Sequence, residues 1–246
     1  MNNLEIIGEG ATTKVYRDGN KAIKMYVNPP PGEVENEAEL QSYAVKAGLP
    51  VPLVFGVRKV SESMTALDME YIAGMPLLHK GMDKDERFAA IQTLVKLQCE
   101  VHAIDAHRLP AQRDRIAWKI NRNIYIEADV KKRLFALLDS LDTQSNKLCH
   151  GDFHPLNILY DGKKYWIIDW VDASSGSPLA DACRTYVIFK QFLLRMAGIY
   201  LRSFCKEAGV RQEDVLAWLP IVATARMTEN EDEKTRMLLK KIVDEL

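Results

Sequence analysis

The feature that most constrains this chain is a change of hydrophobic period at Gly74. Before it, apolar residues alternate in short runs broken by turn signals, at 4–7, 14–17, 21–26, 54–59 and 65–71. Residues two apart share one face of a strand, so these runs specify a small sheet. One helix interrupts them: Val34, Ala38, Leu40, Tyr43 and Ala44 recur at helical spacing, and Gly48-Leu49-Pro50 stops the run. Beyond Gly74 and Pro76 the spacing turns helical. It starts at the capping signal Asp83-Lys84-Asp85-Glu86 and runs through Phe88, Ile91, Leu94, Val95, Gln98 and Val101. Further helices are predicted at 115–123, 129–141, 179–207 and 212–219, with a charged one from about 229 onward. The class is therefore α+β, with a sheet-rich lobe over 1–73 and a larger helical lobe over 74–246. A chain of 246 residues with 47% hydrophobic content can support two lobes.

One polar loop stands out in the helical half: His150-Gly151-Asp152-Phe153-His154-Pro155-Leu156-Asn157, followed by Ile168-Asp169-Trp170. Short strands are expected at 147–149, 157–160 and 165–168, with Asp161-Gly162 turning between the last two. Asp152 then lies on a loop leaving one strand, while Asn157 opens a hairpin and Asp169 ends it. Phosphoryl transfer from a nucleotide needs a carboxylate near the acceptor hydroxyl, plus an amide oxygen and a second carboxylate to hold magnesium. Asp152, Asn157 and Asp169 offer these, at the Asp-x-x-x-x-Asn interval of a kinase catalytic loop. A rival reading takes His150, Asp152 and His154 at period two as ligands of a zinc or di-iron hydrolase. Gly151 and Pro155 oppose the extended strand that it requires. His150 and His154 individually read as members of a hydrogen-bonded turn.

The first lobe offers groups for a nucleotide. Gly8-Glu9-Gly10-Ala11-Thr12-Thr13 lies between two strands, and its small residues let backbone N–H groups and the Thr12 or Thr13 hydroxyls approach phosphate oxygens. Thr13 replaces the usual third glycine, and by itself the segment also reads as an ordinary hairpin. Lys24 sits between apolar neighbours on the third strand. Paired with a glutamate of the 32–47 helix, it would be held against the α- and β-phosphates.

On the Gly-x-Gly turn, Lys24, the His-Gly-Asp-x-His-x-x-Asn loop and Ile168-Asp169-Trp170, the chain resembles the aminoglycoside phosphotransferase family. That family has a protein-kinase-like bilobal fold and includes choline, homoserine, methylthioribose and fructosamine kinases. The resemblance runs from about Gly8 to Arg184. It implies transfer of the γ-phosphoryl group of ATP or GTP to a hydroxyl of a small molecule, with Mg2+ as cofactor. Asp152 would serve the acceptor hydroxyl, and Asn157 and Asp169 the metal. The Asn-Glu-Ala-Glu-Leu context selects Glu37 as the partner of Lys24, with Glu39 as runner-up. Met69, Glu70 and Ile72 would meet the base at the link between lobes, Glu70 and Ile72 through their backbone. Gly8, Gly10, Thr12 and Thr13 would cover the phosphates. Asp181 would accept backbone hydrogen bonds beneath the catalytic loop, although it also reads as a helix-start carboxylate.

Other properties narrow the function. A formal net charge of −1 gives no electrostatic footprint for nucleic acid or an anionic membrane. Four dispersed cysteines and the lack of a charged-then-apolar leader point to a reduced cytoplasm. The apolar 186–205 stretch is broken by Lys190, Arg195 and Arg202, which opposes a membrane span. Nothing indicates an obligate protein partner. Only eleven residues separate Asp169 from Asp181, too few for a segment that grips a peptide, so a protein kinase is disfavoured. A polycationic antibiotic would call for carboxylates such as Asp172, Glu229, Glu231, Asp232 and Glu233; a solvated acidic helix explains the last four equally. The final Leu246 differs from the aromatic end that some antibiotic kinases present to substrate. A kinase of a metabolite such as an amino alcohol or sugar, and a non-catalytic nucleotide-binding scaffold, are the alternatives.

Overall fold

The structure, a computed structural model, describes residues 4–10, 13–141, 145–229 and 232–244. Its two compact units are discontinuous in sequence: Met1–His79 joins Pro155–Asp172, and Lys80–His154 joins Ala173–Leu246.

The first unit is built on an antiparallel sheet of β1 (Glu5–Glu9), β2 (Thr13–Asp18), β3 (Lys21–Val27), β4 (Val54–Lys59) and β5 (Met64–Glu70), in the order β1-β2-β3-β5-β4. Helix α1 (Glu33–Lys46) connects β3 to β4 and packs against β4 and β5. As the central strand, β3 buries residues on both faces. Ile23 and Met25 join Ala66 on one side. Tyr26 joins Val34 of α1 and Leu67 on the other. Period-two geometry puts Lys24 on the Tyr26 face, the face that α1 covers.

A short strand, β6 (Met75–Pro76), precedes three helices of the second unit, α2 (Lys84–His102), α3 (Gln112–Arg122) and α4 (Ala128–Ser140), and then β7 (Lys147–Cys149). The predicted start of α2 is a capping box: Asp83 Oδ1 accepts from the Glu86 backbone at 2.8 Å, and Glu86 Oε2 accepts from the Asp83 backbone at 2.7 Å. The chain returns to the first unit through a 3-10 turn, Pro155–Asn157, and a hairpin of β8 (Ile158–Tyr160) and β9 (Tyr165–Ile167); β6 pairs with β8. The predicted Asp161-Gly162 turn is held by Asp161, whose Oδ1 accepts the backbone N–H groups of Lys163 and Lys164. Its Oδ2 accepts Trp166 Nε1 at 2.7 Å. The Ile167 N–H donates to Pro50 O at 2.8 Å, which ties the hairpin to the segment after α1.

The second unit is completed by β10 (Ser174–Gly176), which pairs with β7, and by α5 (Pro178–Phe192), α6 (Leu194–Ala208), α7 (Gln212–Leu216), α8 (Leu219–Arg226) and α9 (Glu233–Asp244). The single helix predicted over 179–207 is two helices. Leu193, at φ −142° and ψ 51°, breaks it. An unbroken helix of that length would run straight for roughly 40 Å, whereas the break returns the chain so that Tyr200 stacks on Phe189 with centroids 5.3 Å apart. Tyr200 also donates to Gln98 Oε1 at 2.6 Å, and Gln98 Nε2 donates to Thr185 Oγ1 at 3.1 Å. These buried polar groups fix the register of α2, α5 and α6.

At Gly176, β10 passes close to α3. A Cβ there would lie 2.4 Å from both Cβ and Oε1 of Gln112, and that Oε1 accepts the Ser177 N–H at 2.9 Å. Gly176→Ala is therefore expected to destabilise the chain by about 1–3 kcal/mol through overpacking, read as a lower urea midpoint. An unchanged midpoint would mean that strand and helix do not meet this closely.

Candidate active site

Lys24 organises the site residues of the first unit. Its Nζ lies 2.7 Å from Glu37 Oε1 and 2.8 Å from Asp169 Oδ1, and its side chain is 11% exposed. Burial pushes the ammonium's pKa down, but Asp169 and Glu37 outweigh burial and hold it well above the usual lysine range. Glu37 is 1% exposed and also accepts from the Tyr26 hydroxyl. Burial raises the Tyr26 pKa further than Lys24 lowers it, so the hydroxyl stays a donor. Removing Lys24 or Glu37 from this buried pair leaves an uncompensated charge, at a cost of about 3–5 kcal/mol.

Asn157 and Asp169 are joined by their backbones, since the Ile168 N–H donates to Asn157 O at 2.9 Å. Asp169 adopts φ 66°, a left-handed conformation that costs a non-glycine residue of order 1 kcal/mol. It is held from both sides: Ile168 is tied to Asn157, and Trp170 Nε1 donates to Ile167 O at 3.0 Å. Lys24, Glu37 and Asp169 together carry one excess negative charge. The Asp169 carboxylate and the Asn157 amide oxygen are hard donors of the kind that a magnesium ion takes.

The remaining nucleotide candidates sit at two places in the first unit. Gly8 pairs with Val15 just past a register shift in β1, Glu9 pairs with Lys14, and the Gly10 N–H donates to Thr13 O at 2.8 Å on the way into β2. A Cβ on Gly10 would come 2.9 Å from Thr13 Oγ1, so the turn requires a small residue. Thr12 lies outside the described residues. Met69 and Glu70 end β5, and Ile72 follows it. Met69 packs on the Tyr26, Val34 and Leu67 cluster, while the Glu70 N–H is taken by Leu53 O at 2.8 Å.

Asp152 belongs to the second unit, on a loop built from beneath by Asp181. Asp181 is buried and accepts from the Gly151 N–H at 2.8 Å, the His150 N–H at 3.3 Å and His102 Nε2 at 2.9 Å. Burial raises the pKa of its carboxyl, yet His102 and the Gly151 amide outweigh it and hold the group below its usual range. Gly151 turns the loop at φ 83°, and the Asp152 N–H donates to His150 Nδ1 at 3.2 Å. Phe153 O accepts from Thr185 Oγ1 at 2.9 Å. His150 thus braces the loop, as the sequence suggests, and His102 is a packed, hydrogen-bonded histidine. The three-ligand strand of the rival hydrolase reading does not form.

Two arginines around Asp152 escaped the sequence reading. Arg184 of α5 reaches Asp152 Oδ1 with Nη2 at 3.4 Å, and Arg226 at the end of α8 approaches it at 3.8 Å. Both also bind Glu229, at 2.7 Å each, and Lys119 of α3 joins at 2.7 Å. His154 Nε2 lies 3.2 Å from Asp152 Oδ2. Burial raises the pKa of the Asp152 carboxyl, but the His154 hydrogen bond and the charges of Arg184 and Arg226 hold it well below the carboxylate range. The only sequence signals were local: Arg184 follows Asp181 by three residues, and Arg226 precedes Glu229 by three. Tyr26 was legible as the period-two neighbour of Lys24.

The profile of the phosphotransferase enzyme family matches residues 3–219. The chain belongs to that family. Its fold is the protein-kinase-like one of solved family members. A thermostable mutant of aminoglycoside phosphotransferase APH(4)-Ia, in a ternary complex with ADP and hygromycin B, superimposes with a TM-score of 0.75 at 16% identity, covering 99% of this chain and 92% of that one. Choline kinase LicA from Streptococcus pneumoniae gives 0.70 at 15% identity, covering 99% and 94%. A choline/ethanolamine kinase family protein from Mesorhizobium loti gives 0.66 at 20% identity, covering 99% and 88%. No curated protein matches by sequence. Among the described residues, no helix is long and apolar enough to cross a membrane.

The Glu229 cluster gives a pH signature. Burial raises the pKa of this carboxyl, but Arg184, Lys119 and Arg226 outweigh it and lower the value from 4.5 to about 2. Stabilisation from a lowered carboxyl is complete above the unfolded value, near 4.5, and is lost as pH falls through about 2. Glu229→Gln should therefore cost about 3 kcal/mol at pH 7 and distinctly less at pH 3, compared by denaturant titration. Equal losses at both pH values would contradict the pairing.

Proposed function

We propose that this phosphotransferase moves the γ-phosphoryl group of ATP or GTP onto a hydroxyl of a small molecule in the cytoplasm. Residues 1–73 would serve mainly the nucleotide, and 74–246 the catalytic loop and acceptor. The observation that carries this reading is Lys24 clamped between Glu37 and Asp169. A buried ammonium held by two carboxylates is costly without a use, and phosphoryl transfer uses it to steady the α- and β-phosphates.

Asn157 and Asp169 would hold magnesium, which supplies charge neutralisation at the β- and γ-oxygens. The Gly8–Thr13 turn would cover the phosphates with backbone N–H groups. With the Glu70 N–H already bonded to Leu53, a purine edge would meet the Glu70 carbonyl and the Ile72 N–H, beside Met69. Asp152 would accept the hydrogen bond of the acceptor hydroxyl, orient it, and take its proton late in a loose transition state. Its neighbouring cations keep it ionised and ready to accept. A non-catalytic scaffold has no need of an ionised carboxylate on a loop that Asp181, His150 and Thr185 hold rigid.

Asp152→Asn should lower phosphoryl transfer by roughly 10²–10⁴-fold with nucleotide affinity nearly unchanged. The measurement is ADP release with aminoglycosides, amino alcohols and sugars as acceptors, beside nucleotide titration of both proteins. Equal turnover by the variant would remove Asp152 from this role.

A further inference from the structure

Of the carboxylates that the sequence offers to a cationic acceptor, Glu229 and Asp232 are engaged within the second unit. Glu229 is gripped by Lys119, Arg184 and Arg226, each at 2.7 Å, in a setting where all three cations are less than a fifth exposed. Asp232 caps α9, its Oδ1 accepting the Thr235 N–H at 2.6 Å. Glu233 lies exposed in the first turn of α9, and Glu231 is outside the described residues. What surrounds the reacting position instead is basic. A hydroxyl within hydrogen-bond reach of Asp152 Oδ1 would lie within about 7 Å of both guanidinium groups, since these stand 3.4 and 3.8 Å from that oxygen.

These cations come from three helices, Lys119 from α3, Arg184 from α5 and Arg226 from α8. Arg226 is further aimed by its Nε, which donates to Gln191 Oε1 at 3.2 Å. Glu229 therefore acts as an internal counter-anion that keeps two arginines oriented beside the catalytic loop. A cationic group placed there would face guanidinium charges at short range with little water to screen them. A carboxylate or phosphate would find planar donors of matching geometry.

Resting on the phosphotransferase reading above, we propose that the acceptor is an alcohol carrying an anionic group, recognised by Arg184 and Arg226 beside Asp152. The shared chemistry is an oxyanion a few bonds from the reacting hydroxyl. It excludes polycationic antibiotics and quaternary amino alcohols as the natural acceptor.

The test titrates the full chain by calorimetry, first with magnesium and a non-hydrolysable ATP analogue, then with four probes on the saturated protein: glycerate, glycerol 3-phosphate, glycerol and choline. Prior saturation keeps the anions from the nucleotide site. At least one anionic probe should bind roughly tenfold or more tightly than glycerol and choline, and the tighter anion separates a carboxylate from a phosphate acceptor. Arg226→Gln should weaken that binding about tenfold with analogue affinity retained, and Arg226→Lys should restore part of it. Lys119→Gln serves as a second variant should Arg226→Gln fail to fold. Choline or glycerol binding as tightly as both anions, or no detectable binding of any probe, overturns the anionic acceptor while leaving the phosphotransferase reading intact. Failure of the nucleotide analogue to bind in the first step instead removes the reading on which it rests.

Discussion

One ammonium group ties together three parts of the first unit that are far apart in sequence. Lys24 is on the central strand, Glu37 on the helix that covers it, and Asp169 lies 145 positions away, past the end of a hairpin. Glu37 and Lys24 are buried enough that neither charge would be tolerated without the other, while Asp169 is partly exposed and adds a second counter-charge to the lysine. The sheet, α1 and the hairpin must therefore assume their places together for the lysine to meet both carboxylates. The two faces of β3 divide this labour. Ile23 and Met25 anchor the strand in one apolar cluster, while Lys24 and Tyr26 present polar ends toward Glu37.

The second unit solves a related problem with the opposite sign. Asp181 is the buried charge there, and its partners are two backbone amides and one histidine. Those amides belong to the loop that carries Asp152, so the charge that organises the loop is different from the charge that would act. Around Asp152 the cations are shared with Glu229, which prevents them from collapsing onto the Asp152 carboxylate as a simple closed pair. Both units thus follow one rule. Each ionised group proposed to act is held by others whose role is to keep it charged and oriented.

Much of this was legible in the residues. The change of period at Gly74, the capping box at Asp83 and the Asp161-Gly162 turn rest on local chemistry or spacing, whereas the choice of Glu37 as the partner of Lys24 came from the family resemblance. The break at Leu193 was not legible, because no glycine or proline marks it. It arises from the packing of Tyr200 against Phe189, a tertiary demand that overrides helical propensity. The basic surround of Asp152 was equally hidden. Its arginines come from α5 and α8, and only the fold brings such dispersed residues to one carboxylate.

The left-handed backbone at Asp169 has an evolutionary side. Glycine would relax that conformation at once and would delete both a partner of Lys24 and an oxygen donor. The position therefore sets folding against chemistry: the replacement that most eases the local chain is the one that empties the site. A lineage that gave up phosphoryl transfer would be free to make that exchange, and the aspartate here marks a chain that has kept the strained choice.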